Sequence, residues 1–515
     1  MEMEIGAAVN AKIFPDRTAV VCGPVRYTWT EWNARINQLA HAFGALGLGR
    51  GDKLAVMLNN CQEFLELANA AVKTGVITVP LSYRLRGREI EYIVKDSDSR
   101  ALIFGEEFVP EITAVMPSLN DILPGGYVMV GAAERDDRFK RYEALLAGQP
   151  SSEPEEPAPP GLNSMIYTSG TTGRPKGVFR AGGVDPVLLL SFVQGFGLQM
   201  GNEVHLVPAP LYHSAPTLGS VLTIVLGGTL VIMPKFEPEE FLRLIDHEKA
   251  TSSFVVPTIV KRVLALPDEV KRRYDMSSLR ALIVGAAPFP VETKRAAVAY
   301  FGDCIYEYYG STDAGLNTIL PPSEQLARPA SCGKVLEGQD IVILDDEGTK
   351  LGPGEVGNIY ITNSLVREMQ YYKDPEKTQQ AFRGDYMTVG DMGYLDEDGY
   401  LYIVDRKTDM VISGGVNIYP AETEEVIHEH PAVLDVAVIG VPNEEWGEEL
   451  KAVVQLKPGR HATADDIIDF CRERLADFKR PRSVDFVDEV PRNPSGKLLK
   501  REIRARYWKG RERRV

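Results

Sequence analysis

Short apolar runs alternate with amphipathic, helix-like stretches along most of this chain, and that alternation restricts the folds open to it. Residues 53–58, 77–80 and 101–104 read as short buried strands, with a helix at 28–46 before them and one at 63–74 between the first two. Thr28 followed three residues later by Glu31 is a capping-box start for the first helix, and Gly75 stops the second. The pattern resumes at 230–233, 253–256 and 279–284 (strand-like) and at 239–248 and 290–300 (helix-like). Strands separated by helices pair in parallel and are covered on both faces, so parallel sheets are expected. The texture changes at Asp405-Arg406-Lys407-Thr408-Asp409, a charged knot between apolar strands at 400–404 and 410–412. Beyond it, helices at 422–430 and 464–475 mix with strands at 433–440, 450–456 and 484–487. The expected fold is a large α/β N-terminal domain of layered sheets and helices over 1–404 and a small α+β C-terminal domain over 409–515.

Bulk properties narrow the function. A chain of 515 residues can bury several cores. Its five cysteines, at 22, 61, 304, 332 and 471, are odd in number and form no Cys-x-x-Cys pair. That argues against a disulfide framework or a zinc site and for a reducing, cytoplasmic setting. The acidic start Met1-Glu2-Met3-Glu4 leads into no signal peptide, and no apolar run approaches the ~20 residues of a membrane span. The longest apolar stretch, 221–233, is broken by Gly227-Gly228 and reads as helix end, turn and strand. A net charge of -15 argues against nucleic-acid binding. From 479 to 515 the balance reverses, with 13 Lys/Arg against 5 Asp/Glu, which reads as a solvated face or in part as the seat of a phosphorylated cofactor. The Ser/Glu/Pro-rich stretch 149–161 reads as an extended, exposed connector.

That connector precedes the segment richest in chemistry, Tyr167-Thr168-Ser169-Gly170-Thr171-Thr172-Gly173-Arg174-Pro175-Lys176-Gly177-Val178. Small residues let backbone N–H groups close around a tetrahedral anion, hydroxyls add donors, and Lys176 adds a point charge. A Walker A reading fails because Gly177, not Ser or Thr, follows Lys176. The loop resembles the phosphate-binding motif of the adenylate-forming superfamily of acyl-CoA synthetases, peptide-synthetase adenylation domains and firefly luciferase. On that resemblance Thr168, Ser169, Gly170, Thr171, Thr172, Gly173 and Lys176 bind ATP.

Further islands extend the resemblance over about residues 15 to 505. Tyr306-Glu307-Tyr308-Tyr309-Gly310-Ser311-Thr312-Asp313 is similar to the family's Tyr-Gly-x-Thr-Glu motif. It implies Tyr309 on adenine beside Tyr308 and Gly310, Thr312 on the α-phosphate with a catalytic role, and Asp313 at the metal-binding Glu position. Asp is one methylene shorter, a departure from the family. Gly285-Ala286-Ala287-Pro288 ends a strand where ligand crevices of open α/β sheets lie, and by resemblance its backbone follows the adenine. Pro210-Leu211-Tyr212-His213 resembles the family's Pro-Leu-x-His motif, which gives His213 a gating or positioning role. It also implies an acyl pocket formed by Tyr212, His213, Ala215, Val256, Ala314 and Gly315. Asp391 and Arg406 make the ribose pair by resemblance.

The stretch 405–420 resembles the family's hinge and glycine loop, with a hinge over 405–408 that pivots at Thr408, where relatives usually carry Asp or Lys. Lys497, in Pro494-Ser495-Gly496-Lys497-Leu498, resembles the C-terminal catalytic lysine. The chemistry needs such a group, because a carboxylate attacking an α-phosphate brings two anions together and one cation can bridge both. Ser413, Gly414, Gly415, Trp446, Phe478, Arg480 and Arg482 are similar to coenzyme A contacts of aryl-CoA ligases.

The resemblance implies an ATP-, Mg²⁺- and coenzyme A-dependent carboxylic acid–CoA ligase. It would release pyrophosphate and AMP and take a hydrophobic monocarboxylic acid, a small-molecule partner of unspecified chain length. Such an enzyme needs no nucleic acid and no stable membrane insertion, and a homodimer is compatible with it. The segments 218–226 and 255–257 are apolar and uncharged, against a second carboxylate or an amine on the acid. His213-Ser214-Ala215-Pro216 is similar to a His-Gly-Ala-Pro form of bile-acid ligases, an alternative pointing to bulky alicyclic or steroid acids over linear ones. Tyr212-His213 stands where an amino-acid adenylation domain wants a carboxylate, and the coenzyme A matches disfavour a luciferase-like oxygenase. A non-catalytic nucleotide-binding regulator is the alternative of another class, with Asp313 and Thr408 as its support.

Overall fold

The computed structural model describes residues 6–132, 136–155, 164–168, 175–180, 185–413, 416–493 and 497–509. Among them the strands form five sheets. A five-stranded sheet is parallel throughout, in the order Ile77–Pro80, Lys53–Met57, Ser99–Gly105, Tyr127–Val130, Lys140–Arg141. A nine-stranded sheet carries six parallel strands, Thr18–Cys22, Thr229–Ile232, Val204–Val207, Ser252–Val255, Ala281–Val284 and Ile305–Ser311. Antiparallel strands Val25–Thr28 and Gly315–Leu320 flank them, with Lys334–Val335 outermost.

The helices Trp29–Ala45 and Gln62–Thr74 lie between these two sheets. Trp29, Trp32, Ile36 and Phe43 pack with Leu65 and Leu67, against Leu54 and Val56 on one side and Val20, Val207 and Leu230 on the other. The next residues along the same strands, Val21, Leu206 and Val231, join the cluster on the opposite face with Phe241, Ile245 and Val260. A period of two thus gives each face of a central strand its own core, as parallel sheets require. The expected signals hold locally. Thr28 makes both bonds of its capping box with Glu31, and Gly75 caps its helix in the left-handed conformation at φ 75°.

A three-stranded antiparallel sheet joins Ile166–Thr168, Lys176–Arg180 and Met369–Tyr371. A six-stranded antiparallel sheet spans 340–406, and a five-stranded sheet within 411–486 packs the helices Pro420–His428 and Ala464–Arg472. No helix among the described residues is long and apolar enough to cross a membrane.

One expectation holds with an addition and one needs correction. The described part of the connector is mostly exposed, and it is tied to the body. Asn37 donates to the Ser151 carbonyl at 2.9 Å, and Lys73 pairs with Glu153 at 2.6 Å. The basic C-terminal stretch is not mainly a solvated face. Lys500 is buried against Glu424 at 2.9 Å and Asp405 at 4.0 Å, Arg492 grips Asp435 with two bonds of 2.6 and 2.7 Å, and Arg504 pairs with Asp409. These three cations tie the C-terminal domain to itself and to the end of the strand Leu401–Arg406, while Arg482, Arg501, Arg506 and Lys509 are exposed.

Candidate active site

The strands Ile166–Thr168 and Lys176–Arg180 bring the two ends of the Ser/Thr/Gly segment side by side, with Thr168 opposite Lys176. Ser169, Gly170, Thr171, Thr172 and Gly173 lie outside the described residues. Both legs are tied to the helix Gly87–Asp96. The Tyr167 hydroxyl donates to Asp96 Oδ2 at 2.6 Å, and the Tyr92 hydroxyl donates to the Pro175 carbonyl at 3.0 Å. Gly177 fits closely here, since a Cβ would sit 3.1 Å from Met165 Sδ and 3.2 Å from the Tyr167 ring and those side chains would have to give slightly.

Lys176 meets Asp313 beside this mouth. Its ammonium lies 3.3 Å from Asp313 Oδ1 and 3.6 Å from the centroid of the Tyr371 ring. Burial pushes the Lys176 pKa down and Asp313 opposes that. The Tyr371 hydroxyl donates to the same Asp313 oxygen at 2.7 Å. Arg180 fixes the backbone beneath, donating to the Thr312 and Asp313 carbonyls at 2.6 and 2.9 Å. Thr312 Oγ1 lies 3.2 Å from Ser214 Oγ.

Asp391 and Arg406 face each other across neighbouring strands, with Arg406 Nε 3.1 Å from Asp391 Oδ1. The other Asp391 oxygen accepts from the Tyr309 hydroxyl at 2.8 Å. Lys497 approaches from the C-terminal domain. Its turn is closed by Asn493, whose side chain accepts from the Lys497 N–H at 2.8 Å and whose N–H donates to the Lys497 carbonyl at 2.9 Å. Burial, with Arg406 nearby, pushes the Lys497 pKa down to about 8 against the pull of Asp391, Asp409 and Asp313. One lysine therefore senses groups from the Asp313 turn, the Asp391–Arg406 pair and the segment after Thr408.

Behind this cluster Gly285 packs its backbone on the Tyr308 ring, so closely that a Cβ would fall 2.3 Å from a ring carbon. Ala286 is held at φ 65°, a left-handed conformation that costs a non-glycine residue about 1 kcal/mol or more, at the end of the strand Ala281–Val284. Ala287 and Pro288 follow on the surface side. Gly310 lies against the Gly315 carbonyl, where a Cβ would be 2.5 Å away, and Gly315 itself sits at φ 76°.

His213 stands at the N-cap position of the helix Ser214–Val225 without a side-chain cap bond, and its ring lies tilted against Tyr212 with centroids 4.4 Å apart. Burial and Arg84 push its imidazole down to about 4, so it is neutral at pH 7, and its enclosed Nε2 has no hydrogen-bond partner among the described residues. The other expected acyl-pocket residues do not share one apolar cluster. Ala215 packs on the aromatic group of Phe192, Phe196, Phe254 and Tyr308. Val256 belongs to the opposite face of the large sheet, and Ala314 to the core with Tyr309.

The expected coenzyme A residues form two groups. Ser413 pairs with Gly447, next to Trp446, whose indole is 53 % exposed. Phe478 is 44 % exposed beside Arg480 and Arg482, and both arginines pair with Asp477. Gly414 and Gly415 lie outside the described residues. The Thr408 carbonyl accepts from Arg504 at 2.8 Å. Sequence reasoning missed Tyr371, Arg180, Tyr92 and Asp96. No local pattern marks them, and they reach the site from 58 to 133 positions away in the chain.

The profile of the family described as AMP-binding enzyme matches residues 8–371, and that of its C-terminal domain matches 422–497. The long-chain-fatty-acid–CoA ligase FadD13 of Mycobacterium tuberculosis is 33 % identical over 487 residues, 94 % of this chain and 93 % of that protein. A feruloyl-CoA synthase of an Amycolatopsis species is 34 % identical over 507 residues, 97 % of each. Among solved structures, the anthranilate CoA ligase AuaEII in complex with anthranoyl-AMP superposes with a TM-score of 0.89 at 28 % identity, over 98 % of this chain and 97 % of that one. The large α/β body, the small C-terminal unit and the two matched profiles agree, and the chain belongs to the AMP-binding enzyme family as an AMP-forming acid–CoA ligase of the acyl-CoA synthetase kind.

Proposed function

We propose that the protein activates a hydrophobic monocarboxylic acid in two steps, through an acyl-adenylate to an acyl-CoA thioester, with the residue roles that follow. The observation that carries this reading is the convergence of Lys497 with Arg406, Asp391 and Asp313 beside the mouth formed by Thr168 and Lys176. In the first step the loop 168–173 and Lys176 hold the β- and γ-phosphates, and Thr312 donates to the α-phosphate. The Asp391 carboxylate and Arg406 hold the ribose hydroxyls, while Gly285 to Pro288 and Tyr308 to Gly310 flank the adenine. Lys497 lies between the incoming carboxylate and the α-phosphate, where a cation lowers the repulsion of two anions. A carboxylate needs no base at pH 7, which agrees with an imidazole at His213 that is neutral and only weakly basic. His213 and Tyr212 shape the entrance to the acid site.

Asp313 suits Mg²⁺. A single hard carboxylate oxygen beside phosphate is how that ion is usually held, and no group of three or more His, Cys, Asp or Glu among the described residues forms a protein-only cage. When bound, the ion neutralises phosphate charge. The domains meet at 405–408. In the second step residues 409–515 turn about Thr408, Lys497 withdraws, and Ser413, Gly414 and Gly415 line the path of the thiol. Trp446 and Phe478 offer faces to the coenzyme A adenine, and Arg480 and Arg482 offer donors to its 3′-phosphate.

The apolar, uncharged group of Phe192, Phe196, Phe254 and Tyr308 supports a hydrophobic acid without a second charge. The test is pyrophosphate release with ATP, Mg²⁺ and coenzyme A across linear, aryl, alicyclic and bile acids, with Lys497→Ala alongside. Acid-dependent release that the substitution abolishes is expected. Release that is unchanged in Lys497→Ala would overturn the assignment of the lysine, and preference for an acid carrying a second charge would overturn the substrate class.

A further inference from the structure

We propose that Tyr371 is a positioning residue for both members of the charge pair at the phosphate site. Its hydroxyl holds the Asp313 carboxylate and its ring holds the Lys176 ammonium, so each stays in place when nucleotide separates them. The inference rests on the reading of Lys176 as the phosphate cation and Asp313 as the Mg²⁺ carboxylate.

Three distances close a triangle. Tyr371 Oη is 2.7 Å from Asp313 Oδ1, Lys176 Nζ is 3.3 Å from the same oxygen, and Nζ is 3.6 Å from the centroid of the Tyr371 ring. The triangle is enclosed, with Tyr371 only 4 % and Asp313 8 % exposed. Tyr371 is itself held in register. It lies opposite Val178 in the three-stranded sheet, its N–H donates to Thr378 Oγ1 at 3.0 Å, and the next N–H donates to the Gly177 carbonyl at 2.8 Å. The strand that carries Lys176 also carries Arg180, which bonds the backbone of Thr312 and Asp313. One sheet thus fixes the Asp313 backbone through Arg180 and its side chain through Tyr371.

The physical need follows from what nucleotide does. Without it, Lys176 and Asp313 neutralise each other. When polyphosphate and Mg²⁺ arrive, the lysine turns to phosphate and the carboxylate to the ion, and each loses its partner. A lysine stem carries roughly 2 kcal/mol of rotamer entropy, so a freed lysine wanders unless something restrains it. Tyr371 keeps a charge-assisted bond to the carboxylate and a π-face beneath the ammonium throughout. The need is sharper here because Asp reaches one methylene less far than the Glu of related sequences, so the direction of its carboxylate matters more.

Two substitutions separate the two contacts. Tyr371→Phe keeps the ring and removes the O–H, and Tyr371→Leu removes both. Full-length wild type and both variants are titrated calorimetrically with ATP in EDTA and with ATP plus Mg²⁺, and acid-dependent ATP–pyrophosphate exchange is measured alongside. For Tyr371→Phe, metal-free ATP affinity is expected to stay within about twofold of wild type, while the gain on adding Mg²⁺ shrinks about tenfold. For Tyr371→Leu, metal-free affinity is expected to fall a further three- to fivefold or so. Each Mg²⁺ gain is measured within one protein, so a general loss of stability cancels. An equal Mg²⁺ gain in wild type and Tyr371→Phe, or unchanged metal-free affinity in Tyr371→Leu, would overturn the proposal alone. Wild type that shows neither Mg²⁺-dependent ATP binding nor exchange would overturn the reading of the site, and the proposal with it.

Discussion

Lys497 carries a pH dependence that can be worked out from its surroundings. A lysine at its ordinary value of 10.5 stays charged through the physiological range, but burial and Arg406 bring this one to about 8. The adenylation step needs the protonated form. The charged fraction is about nine-tenths at pH 7 and about one-tenth at pH 9, so kcat/KM for ATP should fall about tenfold across that interval, whereas a lysine at 10.5 would lose only a few per cent. The profile of kcat/KM reports the free enzyme. The profile of kcat should break at higher pH, because bound phosphates add negative charge beside the ammonium and hold its proton. The assay is ATP–pyrophosphate exchange with the acid held well below its KM and no coenzyme A, which leaves the enzyme free and removes the thiol from the titration. Lys497→Arg supplies the control, a slower enzyme whose activity is flat across the same range because guanidinium does not lose its proton there. Burial pushes the hydroxyls of Tyr309 and Tyr371 upward, away from the window. A flat wild-type profile to pH 9, or an unchanged decline in Lys497→Arg, would refute the reasoning.

Tyr167→Phe unties the incoming leg of the phosphate segment from Asp96, and KM for ATP should rise about five- to tenfold with KM for the acid unchanged in steady-state kinetics. Lys294 is fully buried, 2.5 Å from both Glu307 and the Pro329 carbonyl. Lys294→Met should therefore destabilise by about 3–5 kcal/mol in denaturant melts, and Glu307→Gln in the same chain should restore part of it. In Gly219→Ala the new Cβ would lie 2.6 Å from His205 Nε2 and 2.7 Å from a Phe254 ring carbon. The helix Ser214–Val225 must shift at a cost of about 1–3 kcal/mol by thermal melt, and acid preference should move with Phe254.

Where a signal is local, the sequence carried it. Thr28 with Glu31 and Gly75 mark real helix ends, and the apolar runs at 53–58, 77–80 and 101–104 fall on three strands of one parallel sheet. Lys176, Asp313, Asp391, Arg406 and Lys497 stood out through short motifs, and they gather in one region. The six-stranded antiparallel sheet went unread apart from the strand at 400–404, because two of its strands, Phe382–Arg383 and Tyr386–Met387, have only two residues each, too short to show a period. Tyr371 was invisible for a related reason. Its partner Asp313 is 58 positions away, and a tyrosine at the end of a short apolar run looks like core until the fold brings a carboxylate and an ammonium to it. The fate of the C-terminal cations also depended on tertiary structure, since Lys500 finds its carboxylates on the helix Pro420–His428 and the strand Leu401–Arg406, and Arg492 finds its own on the strand Val433–Asn443.

The Asp391 carboxylate accepts from Tyr309, in the large sheet, with one oxygen and faces Arg406 with the other. Arg406 stands two residues before Thr408, and the Lys407 N–H is bonded to the Gly390 carbonyl at 2.8 Å. On the proposed roles, the grip on the sugar and the root of the turning unit are one short piece of backbone. Thermodynamic reciprocity then applies: whatever factor a seated nucleotide contributes to the choice between the two orientations, the orientation returns in full to the affinity for nucleotide. On those proposed roles, AMP release and the position of the small domain are two readings of one equilibrium.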